Sequence, residues 1–170
     1  MFDFHQHPRT LYPGTGFIND IGEEEGKGYN INLPMVPRAG DAQYLEVIEE
    51  IFIPVLNQFK PDIILISAGF DTHFSDPITQ LNLTTQGYGK IIKKVKEASK
   101  NVCNGRIVIF LEGGYDLKAI SQGILTEISV LGDLGIELMD DPPKIEEGVD
   151  EYNKKMIEKI KEVFNPYWSF

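Results

Sequence analysis

Two unbroken apolar runs, Ile63-Ile64-Leu65-Ile66 and Ile107-Val108-Ile109-Phe110-Leu111, constrain this chain more than any other feature. Runs of this length without polar alternation read as strands buried on both faces, as in parallel sheets sandwiched by helices. Each run follows a segment with helical spacing. Leu45, Ile48, Ile51, Phe52, Val55, Leu56 and Phe59 predict a helix over 42–59, with Asp41 as its N-cap and a kink at Pro54. Ile91, Ile92, Val95 and Ala98 line one face of a second helix, capped by Thr84, and Lys90, Lys93, Lys94, Lys96 and Lys100 read as its solvated face. Leu117, Ile120, Ile124, Leu125, Ile128 and Leu131 predict a third helix. Tyr152, Met156, Ile157, Ile160, Val163 and Phe164 predict a last one, placed over 144–164 behind a Pro142-Pro143 linker. Phe2 and Phe4 alternate with Asp3 and His5 as a first strand, and residues 29–33 alternate as a short strand inside the long loop 8–40. The order of elements predicts an α/β fold, a three-layer α/β/α arrangement around a parallel sheet.

The 170 residues fit a single domain. The net charge of −10 argues against nucleic-acid binding and against charge-driven docking on an anionic membrane. No apolar run approaches the ~20 residues of a membrane helix, and the first residues lack the pattern of a secretory signal. The single cysteine, Cys103, rules out an intrachain disulfide and fits a reducing compartment, the cytoplasm.

Ligands of open parallel sheets bind outside the carboxyl ends of the strands. Two residue sets stand there: Ser67-Ala68-Gly69-Phe70-Asp71-Thr72-His73 and Glu112-Gly113-Gly114-Tyr115-Asp116. A carboxylate at Asp71 serves as a metal ligand, a general base or a loop cap. Asp71 and His73 stand two apart, which in extended chain puts both side chains on one face as an O and N donor pair. Gly113 and Gly114 let the backbone approach a ligand, and the Tyr115 phenol after them either donates to a developing oxyanion or packs over a turn. His5 and His7 repeat the two-apart spacing and read better as local hydrogen-bond partners than as a metal pair. The glycine-flanked glutamates at 22–28 lack the spacing and the hydroxyl residue of a phosphate loop, and three carboxylates there would repel phosphate.

Five strings occur in order: YPGTG at 12–16, SAGFDTH at 67–73, DP at 76–77, NLT at 82–84 and LEGGYDL at 111–117. Together they resemble the C-terminal half of the histone deacetylase family, which includes the acetylpolyamine amidohydrolases, over about residues 1–135. The resemblance implies the arginase/deacetylase fold and zinc-dependent hydrolysis of an N-acetylated amine, acetyl-lysine or an acetylpolyamine. It implies Asp71 as one of three zinc ligands and Tyr115 as the residue that stabilises the tetrahedral oxyanion. Leu11, Tyr12 and Ile78 fall where the family lines its acyl tunnel, and Gly113 and Gly114 at the floor. Ligand type alone admits Fe²⁺ or Co²⁺ in place of Zn²⁺.

The family's other two zinc ligands and its tandem histidine pair lie upstream of the matched strings, whereas this chain has only His5, His7 and His73. The expectation is therefore an incomplete domain, with Met1 at what the family pattern treats as an internal position. Such a chain is expected to be inactive without the N-terminal portion. It is also expected to associate with a second chain carrying that portion, or with itself as a homo-oligomer, through the sheet edge left open. The competing readings are a non-catalytic remnant or scaffold of the same fold, and a plain α/β module with a small-ligand site at its strand ends.

Overall fold

A computed structural model describes residues 1–141, 143 and 146–170. Among the described residues four strands form: β1 (Phe2–Gln6), β2 (Ile31–Met35), β3 (Ile64–Ala68) and β4 (Ile107–Leu111). Among the described residues they pair as two two-stranded parallel sheets, β1 with β2 and β3 with β4. The registers run from Phe2↔Ile31 to Gln6↔Met35 and from Ile64↔Ile107 to Ala68↔Leu111.

β2 begins two residues later than the alternation predicts and takes in Pro34. Met1 O accepts from Ile31 N, and His7 N donates to Met35 O. In this ladder Ile31, Leu33 and Met35 exchange bonds with β1, so the missing N–H of Pro34 faces away from it, where proline costs no ladder bond.

The helix expected over 42–59 is divided into α1 (Asp41–Val47), a π-helical turn (Ile48–Phe52) and α2 (Ile53–Phe59). The predicted kink at Pro54 takes the form of this wide turn just before it, because Pro54 offers no N–H to close a regular turn. Asp41 is not the N-cap. Gly40 holds that place, its N–H donating to Gln43 Oε1 at 2.8 Å. The Asp41 carboxylate instead accepts from Thr84 N at 3.0 Å and Thr84 Oγ1 at 2.7 Å. It thereby ties the start of α1 to the start of α3 (Thr85–Cys103), which Thr84 caps as expected by accepting from Gly87 N.

α4 (Leu117–Gly132) follows β4, with Asp116 accepting from Ala119 N at its start. α5 runs over Val149–Phe164. Residues 144 and 145 of the span expected for it, and Pro142 of the expected linker, lie outside the described residues. α5 buries Met156, Ile157, Ile160 and Phe164 in the core shared with β2 and α1. Most of the lysine face of α3 is solvated as expected, but Lys96 lies along α4 and donates to Val130 O at 2.8 Å.

The two apolar strands are buried on one face only. Ile64, Ile66 and Ile107 pack on Leu56, Val95, Ala98 and Cys103 of the helices. On the opposite face Leu65 is 63% and Phe110 51% exposed. The unbroken apolar pattern thus exceeds what the described residues cover.

Glu127 on α4 is buried. Burial pushes its carboxyl up to about 7 from its ordinary value of 4.5. The folded state holds this proton more tightly than the unfolded state, so stability falls as pH rises from about 4.5 to about 7. Glu127→Gln is expected to remove that slope, raising Tm at pH 8 and leaving it nearly unchanged at pH 5. The gain at pH 8 is up to about 3 kcal/mol, and thermal melts at the two pH values read it.

Candidate functional site

The site is built where β3 and β4 end together. Glu112 N donates to Ala68 O, and Phe70 N donates to Gly113 O at 2.8 Å, so the ladder continues past both strands. Phe70 is buried edge-on to Tyr88, with ring centroids 5.1 Å apart. It fixes the point from which Asp71 departs. Thr79 Oγ1 donates to Asp71 O at 2.5 Å and closes the loop over it. The Asp71 carboxyl is raised above the usual carboxylate range, by burial first and by the neighbouring Asp76 charge second. A nearby cation would reverse that shift.

Gly114 has φ +138°, and a Cβ there would stand 2.8 Å from Ile120 Cγ1 and 3.1 Å from Phe70 Cβ. Only glycine suits this position, which lets the chain turn over Phe70 and set Tyr115 beside the Asp71 loop. At Gly113 a Cβ would meet Asp71 Cγ at 3.9 Å, so the two strand-end segments are in ordinary contact distance.

Asp76 joins them. It is buried, with Oδ2 accepting from Tyr115 N at 2.7 Å and Oδ1 accepting from Ile78 N at 2.8 Å. One carboxylate therefore holds Tyr115 and Ile78 in place, 39 and 2 residues away in sequence. The DP string marked Asp76 as part of the resemblance, but spacing alone gave no sign of this role. Asp76→Asn puts an amide N–H against Tyr115 N–H in one amide orientation and against Ile78 N–H in the other. The expected cost is about 1–3 kcal/mol by urea titration, with loss of order at Tyr115.

Tyr115 is 64% exposed. Leu11 and Tyr12 lie in a separate loop. Gln6 connects the two regions: Nε2 donates to Thr10 Oγ1 at 3.0 Å, and Oε1 accepts from Gln80 N at 2.6 Å. Tyr12 is 92% exposed. Asp71, Gly113, Gly114, Tyr115 and Ile78 are thus brought together, and Gln6 ties the loop of Leu11 and Tyr12 to Gln80 beside them.

His73 does not pair with Asp71. β3 has already ended at Ala68, so residues 71–73 turn and the same-face rule for extended chain does not apply. His73 is buried, with Nδ1 on Ser75 Oγ at 2.8 Å and Nε2 on Asp140 Oδ2 at 3.1 Å. Both ring nitrogens are engaged in bracing the loop. His5 Nε2 contacts Gly16 O at 2.9 Å, and His7 Nδ1 accepts from Arg9 N, so these two remain local partners. Cys103 is a buried free thiol.

A catalytic zinc takes three protein ligands. Among the described residues no three His, Cys, Asp or Glu side chains converge as such a set. Asp71 offers one carboxylate, so these residues do not by themselves fit a metal ion.

A parallel α/β scaffold gathers carboxylate, glycines and phenol at the strand ends, where ligands of such sheets bind. Residues 1–131 match the histone deacetylase domain. The chain is 39% identical over 171 aligned residues to a probable deacetylase of Archaeoglobus fulgidus, covering 95% of this chain and 48% of that protein. It is 44% identical over 131 residues to histone deacetylase 14, chloroplastic, of Arabidopsis thaliana, covering 77% and 31%. Among solved structures it superposes on the HDA15 HD domain with a TM-score of 0.80 at 28% identity, covering 98% of this chain and 44% of that one. On the histone deacetylase Clr3 the TM-score is 0.83 at 28% identity, covering 98% and 27%. The chain belongs to the histone deacetylase family and has its arginase-like fold. It spans about half the length, or less, of these relatives. No helix among the described residues is long and apolar enough to cross a membrane.

Proposed function

We propose that this chain supplies one part of the active site of a metal-dependent deacetylase that hydrolyses an N-acetylated amine, acetyl-lysine or an acetylpolyamine, to acetate and the free amine. Residues 1–170 act as one partial deacetylase domain in this reading. The observation that carries it is the Asp76 bridge, which holds Tyr115 and Ile78 against the Asp71 loop. Asp71 is one ligand of a divalent ion, Zn²⁺ in preference to Fe²⁺ or Co²⁺, whose other ligands lie outside this span. Such an ion, held in part by Asp71, would supply Lewis-acid chemistry to the amide carbonyl and to water. Tyr115 donates a hydrogen bond to the oxygen that becomes the oxyanion. Gly113 and Gly114 form the floor beside it, and Leu11, Tyr12 and Ile78 line the path of the acyl chain. The net charge of −10 suits a cationic amine by long-range steering. The chain acts in a reducing compartment, proposed as the cytoplasm, where its free Cys103 stays a thiol.

One observation favours a second reading. A single carboxylate in place of a three-ligand set suits a binding or scaffolding module that keeps the fold without the reaction. Acetate release from an acetyl-lysine peptide and from an acetylated polyamine separates the two. The deacetylase reading expects no turnover from the chain alone and turnover once it is joined to the portion of the Archaeoglobus fulgidus relative outside the matched span. Silence of the joined protein, folded and supplied with zinc, favours the scaffold.

A further inference from the structure

The chain leaving α4 runs over residues 134–141 without helix or strand. Leu134 is 56% and Met139 74% exposed, whereas the side chain of Asp140, next to Met139, is only 7% exposed. A carboxylate leaves water only where polar partners replace it. Asp140 Oδ2 accepts from Thr85 N at 2.7 Å, at the first residue of α3, and meets His73 Nε2 at 3.1 Å. Gln86 clasps the main chain of the same residue: its Nε2 donates to Asp140 O at 3.0 Å, and its Oε1 accepts from Asp140 N at 2.9 Å. An open stretch of chain thus drives one carboxylate inward, onto a histidine 67 residues away in sequence.

The tautomer of His73 follows from its neighbours. Ser75 N donates to Nδ1 at 3.2 Å, so Nδ1 is an acceptor and the proton aimed at Asp140 sits on Nε2. The ring is held at both ends. The main chain of His73 stands at the joint of the Asp71 loop. His73 N donates to Phe70 O at 3.2 Å, and His73 O accepts from Asp76 N at 2.9 Å. The first bond closes the turn that carries Asp71. The second leads to Asp76, whose carboxylate holds Tyr115 N and Ile78 N. A continuous run of hydrogen bonds therefore joins Asp140 to His73, His73 to Asp76 and Asp76 to Tyr115.

We propose that Asp140 and His73 act as a positioning pair: the Asp140 carboxylate fixes the His73 ring, and His73 through its main chain sets the turn from Phe70 to Asp76 and with it the places of Asp71 and Tyr115. The effect of the pair on turnover rests on the deacetylase reading; its effect on the loop does not. A run of bonds transmits position only if its members are coupled, and variants decide that. One oxygen, Oδ2, takes both side-chain bonds of Asp140, and an asparagine carbonyl oxygen accepts from Thr85 N and His73 Nε2 alike. Alanine accepts from neither.

Amide hydrogen exchange of the chain, and turnover of the chain joined to the remaining portion of the domain, test the pair. Asp140→Ala is expected to speed exchange at the Asp76 and Tyr115 amides by ~10-fold or more, with the Ile92 and Val95 amides inside α3 unchanged. In the joined protein it is expected to lower kcat by ~10- to 100-fold, the cost of a small misplacement of reacting groups, with KM nearly unchanged. Asp140→Asn is expected to restore both. Gln86→Ala frees the main chain of Asp140 and leaves its carboxylate in place, so the same two amides are expected to speed up by less. It decides the matter where Asp140→Ala does not fold. Asp76 and Tyr115 amides that stay slow in the folded variants overturn the proposal. Speeding that spreads equally through α3 makes Asp140 a brace of that helix and overturns it too, as does an Asp140→Ala protein with the full kcat of an active joined protein. A joined wild-type protein without turnover counts against the deacetylase reading, and the exchange rates then decide the positioning pair by themselves.

Discussion

Tyr115→Phe is expected to lower kcat/KM for an acetyl-lysine peptide by about two to three orders of magnitude once the chain is joined to the rest of a deacetylase domain. Removal of one preorganised donor to an oxyanion costs roughly 3–4 kcal/mol of transition-state stabilisation. The loss should fall on kcat more than on KM, because the oxyanion exists only in the transition state and intermediate. The side chain is 64% exposed and its main chain is held through N–H, which phenylalanine retains. Stability should therefore shift by no more than about 0.5 kcal/mol. A variant that keeps full kcat removes Tyr115 from the reaction. One that loses activity together with a large drop in Tm assigns it to packing.

Asp71→Asn is expected to have the larger effect. Burial and the Asp76 charge already push the Asp71 carboxyl toward its neutral form, so a neutral amide of the same shape suits the fold. The Thr79 bond is to the main-chain carbonyl and survives the change. The amide is a far poorer ligand for a divalent ion. Loss of Lewis-acid stabilisation worth several kcal/mol corresponds to ~10³-fold or more in rate. Bound zinc in the joined protein should fall from about one per chain toward none. Unchanged zinc content with unchanged activity would show that Asp71 is a loop cap and not a ligand.

The elements most legible in the sequence were those fixed by local pattern. β3 and β4 follow from unbroken apolar runs, and the Thr84 cap from a hydroxyl before a helical repeat. What sequence reading missed depends on groups distant in the chain. Asp41 looked like a cap by its position before a helix, yet its carboxylate is taken by Thr84, 43 residues on. Asp76 stands in the DP string without a role of its own, because its partner Tyr115 N is 39 residues away. The pairing of Asp71 with His73 requires extended chain, and the strand stops at Ala68, three residues before Asp71. Burial of β3 and β4 on both faces was the reverse case. The pattern records a full covering that the described residues provide on one side only, as Leu65 and Phe110 show.

The central claim is that this chain holds one metal ligand and the oxyanion donor of a deacetylase site completed from outside its span. Zinc content by elemental analysis, after dialysis without chelator, tests it most directly. The account predicts essentially no bound zinc for the chain alone and about one per chain after joining to the remaining portion of the domain, abolished by Asp71→Asn. One tightly held zinc in the chain alone, or none in the folded joined protein, would contradict it.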